Sequence, residues 1–324
     1  MIKVVKYEKK YIGLWNDFLS NSKNGTFLFN RNYMEYHADR FTDHSLMCFE
    51  DSKLLCLFPA TEKKQQINSH DGLTYGGIVI GHETDVLDVF TVFYHILKYY
   101  HALGFKQINY KSIPAFFHRK PAFEDQYVIF LLAGNLVRVD AFFSTRISSR
   151  YNLQTRRKRG VKKAIKENVK IVKTNELNGF WSEILTPNLE SRFGLKPVHS
   201  LEEMQLLKKR FPENIVHYNA VYNNDIIAGT TVYVSNKVAH AQYIAANDSG
   251  RKTGAIDLLF YHLLTNEFKD YEWLSFGMTN ENQGKKLNVG LTQWKEGFDA
   301  DAFPQYFYQL DPANYFKLEK YIRK

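Results

Sequence analysis

The stretches SLMCFEDSKLLCLFPATEKK and IVHYNAVYNNDIIAGTTVYV each place two strand-like runs around a short polar turn, at Asp51–Ser52 and at Asn223–Asn224, 172 positions apart. Apolar runs broken by Asp, Asn and Ser mark a β-hairpin. What surrounds the two hairpins is alike in kind. After the first come a strand-like GLTYGGIVI, a helical run from about Asp85 to Ala102 and a strand FKQINYKSI. After the second come KVAHAQYIAA, a polar loop, a helical run from about Ala255 to Phe268 and a strand YEWLSFGM. Two helix-like runs precede each hairpin, with Trp15 and Trp181 in the first of each set. A repeated order at a near-constant offset predicts an internal duplication. Each copy reads as a helical pair, a three-strand antiparallel meander, a crossover helix and a strand returning parallel beside the meander. The expected fold class is α/β in the layered α+β sense, with mixed, mainly antiparallel sheets flanked by helices. The expected domains are residues 1–145 and 146–324.

A chain of 324 residues can bury two such cores. Hydrophobic residues at 44% and charged residues at 24% fit a globular protein and exclude a disordered one. The opening MIKVVKYEKKYIGLW holds no apolar run of signal-peptide length, and nowhere do ~18 uncharged apolar residues follow one another. The expectation is therefore a cytoplasmic protein without a membrane span. Cys48 and Cys56 flank the first turn and read as reduced core thiols. His95 and His101 stand six apart on a helical run, a spacing that does not place both on one face, so no metal is expected.

The net charge of +9 points to an anionic partner without naming it. Much of the excess is local: RRKRGVKKAIK, residues 156–166, holds seven cations. It reads equally as a solvated helix face and as a contact for phosphate or nucleic acid. The second crossover carries a further basic element. In YIAANDSGRKTGAIDLLFYHLL, residues 243–264, a turn from Asn247 to Gly254 sets Arg251 and Lys252 among glycines ahead of a helix. Such a loop is an ordinary surface turn, or it is an anion site in which glycines admit a ligand to the backbone and the helix N-terminus faces a phosphate. The corresponding first-copy stretch, GIVIGHETDV, has acidic Glu83 and Asp85 where an anion would need cations. The first copy is thus expected to be structural or acceptor-binding. A Walker loop does not fit SGRKTGA, since Lys252 and Thr253 precede Gly254.

The stretch Arg251-Lys252-Thr253-Gly254-Ala255-Ile256 resembles the coenzyme A loop of the GNAT acyltransferases, Q/R-x-x-G-x-G/A, at Arg251 and Gly254, with Ile256 in place of the last small residue. The tandem arrangement resembles the FemABX-related branch, in which two GNAT-like domains are fused. TRRKRGVKKAIKENVKI, LSFGMTNENQGKKLNVGLTQWKEGFDA and the closing PQYFYQLD fit that branch, with Phe276, Gly277, Gly284, Trp294, Lys295 and Phe298 matching its pattern. The sustained heptad run of a coiled-coil arm, common in the tRNA-using members, does not occur here.

The resemblance implies acyl transfer to an amine. That chemistry needs a donor held still, a neutral amine and a stabilised oxyanion. For an acyl-CoA (acetyl-CoA) co-substrate the expected donor loop is Gly250, Arg251, Lys252, Thr253, Gly254 and Ala255. The candidate bases are Glu281 first and His240 second, and Lys295 is the candidate oxyanion or acceptor-phosphate group. The family's acceptors imply a nucleotide-linked sugar met by Arg156, Arg159 and Lys163, with Tyr75 as a lining residue from the first copy. Three functions follow. The first is an acyl-CoA-dependent N-acyltransferase acting on an activated amino sugar in surface-polysaccharide synthesis. The second is an aminoacyl-tRNA-dependent transferase acting on a peptidoglycan precursor. The third is a non-catalytic sugar-nucleotide-binding module. No DNA partner is implied.

Overall fold

A computed structural model describes residues 1–147 and 152–322. The chain divides into two compact units, one comprising Met1–Asp140, Asn282–Lys285 and Pro304–Lys324, the other Ala141–Glu281 and Lys286–Phe303. The division after Asp140 falls within the strand Asn135–Arg146, and the closing segment from Pro304 clusters with the first unit. Residues 148–151, just beyond the expected boundary between 145 and 146, lie outside the described residues.

In the first unit a four-stranded antiparallel sheet runs in the order Ile2–Lys6, Leu46–Glu50, Lys53–Phe58, Val79–Ile80. The expected turn at Asp51–Ser52 is present, with Glu50 opposite Lys53, and Cys48 and Cys56 face each other across it as buried free thiols. The helix Val86–Ala102 opens on a capping box between Asp85 and Asp88, which explains its sharp start. Its apolar face packs onto the sheet through Val89, Phe93, Ile96 and Leu97. The expected third meander strand, GLTYGGIVI, is cut to Val79–Ile80. Gly76 lies so close to Ser69 that a Cβ would sit 1.6 Å from its carbonyl oxygen, and Gly77 has φ +85°, so the stretch before Val79 is a tight loop. The strand Gln107–Lys111 accordingly returns parallel to Gln66–Asn68, and it pairs antiparallel with Phe307–Leu310 on its other side.

The second unit follows the expected order closely. The helix Thr155–Lys166 leads into the strand Lys170–Thr174, and two further helical segments, Phe180–Phe193 and Leu201–Arg210, precede the meander. Ile215–Tyr222, Asp225–Ser235 and Val238–Ala246 form it, all antiparallel. Asn223 and Asn224 take φ 50° and 68°, the left-handed pair that a two-residue hairpin turn requires. A short helix Asp248–Thr253 and a second helix Ala255–His262 make the crossover, and Trp273–Met278 returns parallel to Val238–Ala246. The core beneath is aromatic and aliphatic: Phe260, Leu263, Phe276 and Phe298 all lie within it.

Candidate active site

The two parallel strands of the second unit part almost at once. Val238, Ala239 and His240 pair with Trp273, Leu274 and Ser275, and the ladder ends there. From Ala241 onward that side of the strand has no strand neighbour among the described residues. On its other side the register slips, with Thr231 opposite Tyr243 and Val232 opposite Ala241, so Gln242 is the extra residue of a β-bulge. Bulge and divergence coincide. Together they interrupt the strand pairing along one short edge, the kind of edge that can hold a carbonyl group. The Gln242 Oε1 atom is buried there beside His240, whose basicity a bond to Gln242 supports.

Polar side chains gather at the fork. His240 is buried, and its Nδ1 lies 3.1 Å from Ser275 Oγ. Burial first, and the charge of Lys295 second, hold the imidazole down at about 4, so it is neutral at physiological pH and only weakly basic. Gly277 turns the chain with φ +72°, in a place where a Cβ would lie 3.6 Å from His240 Cε1. The turn exposes two carbonyls to one partner: Lys295 Nζ donates to Gly277 O and to Met278 O, each at 2.8 Å. Lys295 is 1% exposed, and burial brings its ammonium down to about 7. Its position follows from its neighbours. Trp294 and Phe298 insert into a cluster with Phe260 and Phe276, at centroid distances of 4.9 to 5.9 Å, and the lysine between them is carried inward on the helix Val289–Glu296. His240 and Lys295 are thus brought together.

Glu281 is placed differently. It lies in a two-residue ladder with Lys286, accepts from Lys286 Nζ at 2.7 Å and from Asn288 Nδ2 at 2.8 Å, and both bonds lower its pKa. A carboxylate so engaged is a poorer base than a free one.

The basic loop is also not what its composition suggests. Asn247 caps the helix Asp248–Thr253 by accepting from Gly250 N, and Thr253 Oγ1 donates back to Ser249 O. Gly250 is glycine because a Cβ would lie 2.2 Å from Ile227 O. Gly254 is glycine because it has φ +81° and because a Cβ would lie 2.5 Å from Gly160 O. Both glycines make room for protein backbone at the position a Cβ would take. Arg251 donates to Ala246 O, Asn188 Oδ1 and Asp248 Oδ1, Lys252 is exposed, and Ala255 is fully buried. In the first turn of the helix Ala255–His262 a carboxylate is already present. Asp257 accepts from Arg157 Nη1 at 2.5 Å and from Trp294 Nε1 at 3.2 Å, an arrangement the helix dipole favours.

Arg157 divides the basic segment into two functions. With Val161 and Ala164 it forms the buried face of the helix Thr155–Lys166. The other six cations, Arg156, Lys158, Arg159, Lys162, Lys163 and Lys166, are exposed, and no acidic residue shares the helix. Tyr75 belongs to the core of the first unit. It is 2% exposed, donates to Thr26 Oγ1 at 2.9 Å and packs 4.6 Å from the ring of Phe117, so it lines no ligand surface. Sequence reasoning passed over Gln242 and the Arg157–Asp257 pair. The spacing Arg157, Val161, Ala164 on one helix face was the available signal for the pair, whereas a bulge leaves no mark in composition. Among the described residues no group of metal-ligating side chains is found, and no helix is long and apolar enough to cross a membrane.

No family model matches the sequence, and no curated protein matches it. Solved structures do match over nearly the whole chain. FemX aligns with a TM-score of 0.66 at 10% identity, covering 97% of this chain and 99% of that one. L-PGS from Bacillus licheniformis aligns at 0.62 and 10% identity, over 97% and 96%. A tandem GNAT protein from the clavulanic acid biosynthesis pathway aligns at 0.52 and 9% identity, over 96% and 99%. The fold is therefore a tandem GNAT-like one, as in these structures.

Proposed function

We propose that the protein is an N-acyltransferase that binds the acyl carbonyl at the open edge beyond His240 and delivers the acyl group to an amine of a nucleotide-linked sugar or its attached peptide. The observation that carries this reading is the fork itself, where a three-residue parallel ladder, a bulge at Gln242 and the buried Lys295 converge. Open strand-edge amides suit an acyl oxygen, and they are fixed before the reaction begins.

For the donor, the balance moves from acyl-CoA to aminoacyl-tRNA. The loop glycines are taken up by packing against Ile227 and Gly160, and Asp257 puts a negative charge in the helix turn where a pyrophosphate would have to sit. The six exposed cations of the helix Thr155–Lys166 suit a polyanionic carrier, which pairs with many phosphates at once. The likeness to FemX and L-PGS agrees with this reading at the level of fold. The acyl-CoA reading keeps one specific support, the placement of Arg251 and Gly254 directly between the forked strand and its crossover helix.

The test is transfer of radiolabelled acyl groups, from a mixture of aminoacyl-tRNAs or from acetyl-CoA, to UDP-linked amino sugars and UDP-linked muramyl peptides. The expected result is RNase-sensitive transfer that weakens steeply with salt. Transfer from acetyl-CoA alone would restore the other donor. Tight UDP-sugar binding without transfer from either donor would make the chain a binding module.

A further inference from the structure

The bonds at Lys295 Nζ limit what the nitrogen can offer. Two of its bonding directions are spent on Gly277 O and Met278 O, and a carbonyl only accepts, so each must receive an N–H. An ammonium then keeps one further N–H, whereas a neutral amine keeps its lone pair in that same direction. Among the described residues no other partner occupies it. We infer that Lys295 is the proton acceptor for the attacking amine, with its lone pair held ready by the two backbone carbonyls. The inference rests on the acyltransferase reading above, and it replaces the oxyanion role that the sequence suggests for this residue.

The surroundings suit a base. The ammonium stands near 7, with burial as the cause, so a large share is neutral at the pH of the cell. Of the titratable groups on neighbouring elements, His240 faces the lysine as a neutral ring, Arg157 and Asp257 are bonded to each other, and Glu281 is held by Lys286 and Asn288. Among the described residues no carboxylate is paired with Nζ. In the reaction the acceptor nitrogen attacks the acyl carbon and forms the C–N bond. The proton that this nitrogen must lose passes to Nζ. As the bond from the acyl carbon to the donor oxygen breaks, the leaving hydroxyl takes that proton, and Lys295 returns to its neutral form.

The two roles respond oppositely to arginine. Lys295→Arg keeps a cation and N–H donors but cannot shed its proton near neutral pH. An oxyanion donor would survive that exchange largely intact, whereas a base would not. In the donor and UDP-acceptor assay above, Lys295→Arg is expected to lose about 10²-fold or more in kcat and to lose a pH limb near 7 that the native protein shows. Lys295→Cys alkylated with bromoethylamine restores an amine of lower basicity, and it should recover activity with the limb moved to lower pH. The pKa of Nζ is read independently of activity by titrating ¹³Cε-labelled lysine in the native protein, assigned by the signal that Lys295→Arg removes. Activity of Lys295→Arg within ~10-fold of native with an unchanged pH profile, or a signal that titrates in the ordinary lysine range, overturns the inference and leaves the acyltransferase standing. Native protein that transfers from neither donor overturns both.

Discussion

Replacing Arg157 by alanine isolates the interaction that ties the basic helix to the crossover helix. Its side chain is 10% exposed and that of Asp257 11%, and they meet at 2.5 Å. Removing one member of a buried pair costs about 3–5 kcal/mol, because the other charge stays buried. Asp257 would keep its bond from Trp294 Nε1, so the low end, about 3 kcal/mol at pH 8, is the expected loss. The loss must also depend on pH. Burial already raises the Asp257 carboxyl above the usual range, with Arg157 as the main opposing influence, and the variant removes that opposition. A folded-state carboxyl that binds its proton more tightly than the unfolded chain gains stability as pH falls. The deficit relative to native protein should therefore shrink between pH 8 and pH 5. Urea unfolding followed by tryptophan fluorescence reports it well, since Trp181, Trp273 and Trp294 of the four tryptophans lie in the second unit. The double variant Arg157→Ala/Asp257→Asn should recover most of the loss. A deficit below about 1 kcal/mol, or one that is the same at both pH values, would refute the account of a buried, compensated charge.

Gly254→Ala combines a left-handed backbone with a Cβ 2.5 Å from Gly160 O, and a loss of at least ~2 kcal/mol in thermal or urea unfolding is expected; Gly254→Trp should fail to fold rather than act as a clean block of donor binding. Arg159→Glu with Lys163→Glu lies on the exposed face, so the melting temperature should stay put while tRNA affinity and its salt slope fall, as filter binding over a salt series would read; unchanged RNA affinity would return the face to solvent. His217 and His240 are both held down at about 4, which means that the unfolded chain takes up protons first as pH falls from about 6.5, and stability should drop by ~2–3 kcal/mol per histidine before levelling near pH 4. Urea midpoints that stay flat across that range would contradict their burial as neutral rings.

The parts of the fold that were legible in the sequence are those governed by local chemistry. Asn223–Asn224 can take a left-handed pair of residues, and Asp85 and Asp88 can close a capping box. Lys295 was singled out through the family pattern, and the packing of its neighbours Trp294 and Phe298 accounts for its burial. What stayed hidden depends on contacts between distant segments. A glycine looks the same in sequence whether it admits a ligand or another backbone, and Gly250 and Gly254 admit backbone. Tyr75 was expected to line a ligand surface, but the glycines that follow it form a tight loop against Ser69 and Tyr75 lies in the core. The bulge at Gln242 arises from how two strands register, which neither strand encodes alone.

The crossing of Gly160 and Gly254 has a consequence for descent and for redesign. A side chain can yield to a neighbour by changing rotamer, but here a Cβ at 254 meets peptide backbone, and one at 160 meets the ion-paired carboxylate of Asp257 at 1.9 Å. There is no gradual path away from such a contact. A lineage that reopened the loop to a pyrophosphate would first have to part the two helices, and it would give up the Arg157–Asp257 pair and the footing of the six-cation face in the same step. Positions 160 and 254 should therefore be inherited together: relatives that keep both glycines should keep the basic helix, and relatives that lose one should lose the other, with the cations dispersed.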